Sequence, residues 1–292
     1  MKPTAVILAV MSLALCVAAQ NSEKPAQQSP PATGQAPPAQ GAQPAGKRPP
    51  QAKSQPEYDA YNAAVKNTDP AAFEKAADDF ATKFPDSELR ILLYKTALRN
   101  YQAANNSEKT EAMGRKVLSI DGDDPEALVM VAEVIAERTR DTDLDKDQRY
   151  DEATKMAQKA TTTVDTDVTP PPGTPQEKLD AYKSLLRSNA YSIVGTIAYK
   201  KENYPLAQEN LQKSIDAYPA QLDPVVVLRL ALSLDKQQKY PEALKVANRA
   251  VEVAQAQNNA QVLTVSQRER DRLQQLTGST PPAQPASQPP KN

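Results

Sequence analysis

Tyr204-Pro205-Leu206-Ala207 returns 36 residues later as Tyr240-Pro241-Glu242-Ala243. The similarity extends outward from both. Val194-Gly195 lies twelve residues before Leu206-Ala207, and Leu230-Ala231 lies twelve before Glu242-Ala243. Downstream, Leu211 and Ser214 match Ala247 and Ala250. Self-similarity at a period of roughly 20–50 residues marks an array of supersecondary units. None of these can bury its apolar face alone, so at least about three must stack.

Each unit has the pattern of two helices. In the last one, Val226, Val227, Leu230, Ala231 and Leu234 recur by threes and fours across 223–236. Ala243, Val246, Ala247, Ala250, Val251 and Ala254 do so across 241–257. This spacing places each set on one side of a helix. Ala231 and Ala243 are small enough to let two antiparallel helices approach closely. Pro205 and Pro241 suit the opening of a second helix, where a missing N–H costs little. The chain has only 8 Gly and shows no sustained polar–apolar alternation, so strands rich in tight turns are not expected.

On these residues the chain resembles the tetratricopeptide repeat (TPR) family. Residues 188–221 carry the pattern with Tyr191, Val194, Gly195, Ala198, Ala207, Leu211, Ser214 and Pro219. Residues 224–257 carry it with Val227, Leu230, Ala231, Leu234, Ala243, Ala247 and Ala250, but Gln255 replaces the closing Pro. Two units upstream match less fully. Residues 91–124 have Tyr94, Ala97, Tyr101 and Val117, with Leu98, Thr110 and Gly114 as departures. Residues 125–164 have Leu128, Val131, Ala132, Ile135, Ala153, Ala157 and Ala160. Ala132 and Ala153 are 21 apart rather than twelve, so nine extra residues enter that unit's inter-helix turn. Residues 57–85 suggest a degenerate pair, and 261–276 a closing helix with the charged run Arg268-Glu269-Arg270-Asp271-Arg272. The resemblance implies an all-α fold, a right-handed α-solenoid of four to five antiparallel helix pairs over 57–276. It also implies a scaffold that binds proteins or peptides rather than a catalyst.

Both ends have a different composition. Met1-Lys2, the apolar run Ala5–Leu15 and the small residues Val17-Ala18-Ala19 form the pattern of a secretory signal peptide over 1–19. Such a run is shorter than the ~20 apolar residues of a spanning helix. Cys16 opens a second reading, a bacterial lipoprotein signal acylated at that residue, although Leu15 is large where such signals carry a small residue. Membrane association is expected only under that reading. Residues 20–56 hold nine Pro among Gln, Ala, Gly and Ser, the composition of a disordered tether. Residues 277–292 form a second Pro-rich tail. The expected location is therefore exported, in the periplasm or secreted, with a lipid anchor at the outer membrane as the variant.

Composition removes several chemistries. The chain has no His and one Cys, which eliminates imidazole catalysis and His-based zinc sites and leaves no thiol once the signal is removed. With 35 Lys+Arg against 36 Asp+Glu it lacks the basic excess expected of a nucleic-acid binder. No cofactor is expected. One stretch has metal-like spacing: Asp141, Asp143, Asp145 and Glu152 occupy places one, three, five and twelve of a calcium loop. Lys146 stands where that loop needs Gly, so an acidic solvated turn whose Asp residues cap the next helix is the competing reading. The family's geometry further implies a groove lined by first helices, with Lys95, Arg99, Glu133, Asn189, Ser192, Tyr199 and Lys200 as partner-binding candidates.

Overall fold

The computed structural model describes residues 47–278, apart from Pro172. The expected signal peptide, most of the tether and the 279–292 tail lie outside the described residues. Those described form eleven α-helices and no strand. They pair in chain order as α1 (Gln55–Ala64) with α2 (Pro70–Lys83), α3 (Arg90–Ala103) with α4 (Ser107–Ile120), and α5 (Pro125–Arg138) with α6 (Lys146–Thr163). The remaining pairs are α7 (Gln176–Lys200) with α8 (Tyr204–Ala217) and α9 (Pro224–Lys236) with α10 (Tyr240–Ala256). A final helix, α11 (Ala260–Thr277), closes the array. The solenoid thus has five pairs and a closing helix.

Local chemistry fixes the starts of the helices. Ser54, Asp69, Asn106, Asp124, Asn203, Asp223 and Asn259 each accept an amide hydrogen bond as an N-cap. Pro occupies the first or second position of α1, α2, α5, α8, α9 and α10. The turns are equally regular. Residues 104–106, 201–203 and 237–239 each join the two helices of a pair, and 257–259 joins α10 to α11. In each, the middle residue is left-handed: Asn105 (φ 54°), Glu202 (φ 59°), Gln238 (φ 60°) and Asn258 (φ 55°). The next amide then bonds a carbonyl five residues back, at Tyr101, Ala198, Leu234 and Ala254 respectively. This recurring C-terminal cap reverses the chain in three residues.

No pair has a core of its own. One cluster runs from Ala64 through Phe73, Leu93 and Val117 to Met130, a second from Leu128 through Tyr150 to Ile197, and a third from Ala198 through Leu211 and Leu230 to Leu273. Each cluster crosses unit boundaries, as nearest-neighbour stacking requires. The small residues lie at the closest approaches. A Cβ on Gly195 would lie 2.7 Å from Leu211 Cγ of α8, and one on Gly114 would lie 2.3 Å from Val131 Cγ2 of α5.

Three sequence expectations are revised. The fourth unit's first helix does not begin near 188. It starts at Gln176, where helix-forming residues follow the Pro170-Pro171-Pro172 run and bury Leu186 against the third pair. The third unit's extra residues are shared between a seven-residue turn, 139–145, and an α6 lengthened to 18 residues. The tether does not stay free as far as residue 56. Lys47 pairs with Asp121 (2.8 Å) and Asp167 (2.5 Å), and the Arg48 guanidinium holds Glu88. The Lys53 amide donates to Glu57, the buried first-turn acid of α1.

Candidate binding face

Helix α7 identifies the face that the first helices share. Tyr182 reaches Arg99 of α3 and Glu126 of α5, and Thr196, fourteen residues on, accepts a 2.8 Å hydrogen bond from Arg229 of α9. Residues in phase with both, Asn189 above all, therefore lie on the side of α7 turned toward the other first helices. Ser192 and Tyr199 follow at helical spacing.

The N-terminal part of this face is fully paired. Lys95 sits 2.6 Å from Asp124 and 3.0 Å from Glu126, and Arg99 Nε lies 2.5 Å from Glu126. Glu126 is only 3% exposed, so these charges have almost no water to compete with. Burial alone would raise the Glu126 carboxyl, but Lys95 and Arg99 outweigh it and hold the group down at about 2. Burial alone would lower Lys95 too, and the Glu126 and Asp124 carboxylates hold it above its ordinary value. This network ties α3 to α5. Lys95 and Arg99 spend their charge within the fold, so reversing both would set four acids together and disturb the helices that carry them.

The C-terminal part of the face is different. Glu133 is partly buried on α5 and makes no hydrogen bond or ion pair with any described residue. Burial pushes its carboxyl up to about 7, and the Glu137 and Asp223 carboxylates add to the rise. Burial likewise raises Glu137 and Asp223, although Arg229 opposes the rise in both. Asp223 also caps α9 through the Val225 amide. Burial lowers Arg229, whose hydrogen bond is to the neutral Thr196 hydroxyl rather than to a carboxylate. Lys200 is lowered by burial and by Arg229; its ammonium donates to the Ala136 carbonyl (2.7 Å) and lies over the Tyr150 ring.

Of the other sequence candidates, Asn189 and Ser192 are partly buried, and their side chains form no hydrogen bond with a described residue. Tyr199 stacks edge-on against Tyr204 with centroids 5.6 Å apart. Glu126, Glu137, Tyr182, Thr196 and Arg229 join the face without having been expected from the sequence. Glu126 and Glu137 sit seven before and four after Glu133, so their helical phase was available in the sequence. Tyr182 lay outside the expected helix.

The calcium-loop spacing does not form a site. Glu152 is wound into α6 and pairs with Arg115 of α4 at 2.8 Å. Asp143 accepts the Arg140 amide of its own turn, and Asp145 precedes α6 without a side-chain cap bond. Among the described residues no group of three or more acids, Cys or His could hold a metal ion. Without Gly at the sixth place the loop does not wrap around an ion, and Lys146 begins a helix instead.

No family model and no curated protein matches the chain. Several solved structures align with it. The MamA protein aligns at 14% identity and a TM-score of 0.47, covering 70% of this chain and 93% of its own. YrrB, described as a TPR protein with an unusual peptide-binding site, aligns at 16% identity and 0.42, covering 68% and 94%. PilW, a type IV pilus biogenesis factor, aligns at 18% identity and 0.43, covering 78% and 96%.

Proposed function

We propose that this protein is an exported scaffold of the bacterial cell envelope whose first-helix face binds an extended segment of a partner protein. The observation that carries the reading is the pair Asn189 and Ser192. Both are partly buried on the shared face, and both leave their polar groups without a partner among the described residues. Their polar atoms face water, and the donors and acceptors of a bound segment can take that water's place. These two stand ready for the backbone amides of an extended peptide. Glu133, Tyr199 and Lys200 extend the same surface, and Lys95 and Arg99 border it. Export rests on the sequence pattern of residues 1–19, and Cys16 sets the choice between a released and a lipid-anchored chain.

A photo-crosslinking side chain at Ser192 or Asn189 in the native host should trap a discrete partner. The same group at Gln212, exposed on the second helix α8, should not. Adducts at Gln212 but none at the other two would overturn the assignment of the face. Mass spectrometry of the mature N-terminus should find Gln20 first, or an acylated Cys16. An intact Met1 would end the export reading.

A further inference from the structure

The two halves of the first-helix face treat charge differently. In one, Lys95, Arg99, Asp124 and Glu126 neutralise one another within 3.0 Å. In the other, Glu133, Glu137, Asp223, Arg229 and Lys200 come from α5, α7, α9 and the turn before α9, yet no acid of this set lies within 4.0 Å of a base. Arg229 gives a hydrogen bond to Thr196 and Lys200 gives one to a carbonyl, while Glu133 and Glu137 have no hydrogen-bond partner among the described residues. Glu137 and Lys200 are exposed at the rim and Asp223 caps α9, but Glu133 and Arg229 are partly buried without an opposite charge beside them, and such charge is costly. A neighbouring unit of the same array shows that these helices can pair their charges fully. The cluster also has an internal order. Glu133 feels only acids, Glu137 and Asp223, while Arg229 feels both signs, attraction from Asp223 and Glu137 and repulsion from Lys200.

We infer that this cluster selects the partner segment by charge, seating a lysine or arginine side chain at Glu133 and an aspartate or glutamate side chain at Arg229. The inference rests on the peptide-binding reading of the face and gives it a chemical specificity. A basic side chain at Glu133 supplies the cation that no described residue provides and relieves the crowding by Glu137 and Asp223. An acidic side chain at Arg229 accepts from a guanidinium that Thr196 already holds in place, with Lys200 adding a second positive charge. Charge-assisted hydrogen bonds of this kind are about twice as strong as neutral ones.

The test is a positional-scanning library of octapeptides, selected on the immobilised mature chain and on its Glu133→Gln and Arg229→Gln variants. Circular dichroism first confirms that both variants keep their helices. The wild type should enrich Lys or Arg at one position and Asp or Glu at another. Glu133→Gln should reduce the basic preference about tenfold and spare the acidic one, and Arg229→Gln should do the reverse. Enrichment that ignores charge, or that both variants preserve, would overturn the charge selection and leave the binding face standing. No enrichment on the wild type at all would overturn the binding face as well.

Discussion

Gly195 and its partner Leu211 make the packing between paired helices testable. A Cβ at 195 would meet Leu211 Cγ at 2.7 Å, its Cδ2 at 3.0 Å and its backbone nitrogen at 3.0 Å. The Cγ contact matters most, because Cγ is not the far end of a flexible chain and the fully buried leucine has little room to move, whereas the 3.0 Å backbone contact asks only a few tenths of an ångström of α8. Overpacking of this sort costs ~1–3 kcal/mol, while Ala in place of a mid-helix Gly returns roughly 0.5–1 kcal/mol. Gly195→Ala should therefore destabilise by about 1–2 kcal/mol. Leu211→Ala, at a fully buried site, should cost ~2–5 kcal/mol. The next unit shows what happens when both change. Ala231 and Ala247 occupy the equivalent positions, both fully buried. In the Leu211→Ala background, Gly195→Ala should then reverse sign and stabilise by about 0.5–1 kcal/mol. Urea unfolding of the four species by circular dichroism gives the coupling, with hydrogen exchange across α7 and α8 as the local readout. Equal effects of Gly195→Ala in both backgrounds would refute the proposed packing.

Gln238 is exposed and left-handed, so Gln238→Gly should stabilise the chain by up to ~1 kcal/mol in thermal unfolding. Glu133→Gln should be neutral below pH about 4.5, where the acid is protonated folded or unfolded. It should become stabilising between 4.5 and 7, by roughly 2 kcal/mol above that, because the raised pKa penalises only the ionised form. Glu126 has the opposite sign. Its stabilising charge is present above pH about 4.5 and is lost as the pH falls toward 2, and Glu126→Gln should cost ~3 kcal/mol at neutral pH by leaving Lys95 and Arg99 under-compensated. Ser266 is fully buried in α11 and its hydroxyl has no partner among the described residues, so Ser266→Ala should raise the melting temperature slightly, by a few degrees at most.

Residues 188–276 were the most legible in the sequence because their small residues and Pro positions repeat at a fixed offset. Helices α9 to α11 begin and end within a residue or two of where the pattern places them. The first half of α7 was hidden because the repeat frame begins at 188 and Tyr182 and Leu186 lie before it. The charge chemistry of the face was read only in part. Lys95 and Arg99 were visible as cations on one helix, but their partners Asp124 and Glu126 stand 27 to 31 residues away at the start of the next unit. Pairing at that range depends on how units stack, which the helical period does not encode. The same holds for Arg229 and Thr196, whose contact joins first helices two elements apart.

Hydrogen exchange on the unmodified chain tests most directly the claim that five pairs and a closing helix form one nearest-neighbour array. Amides should be protected throughout α1 to α11 and exchange fast at 139–145. Protection should rise from the two ends toward the central pairs, because interior units have neighbours on both sides. Uniform protection lost in a single step, or protected segments that ignore the helix boundaries, would contradict it.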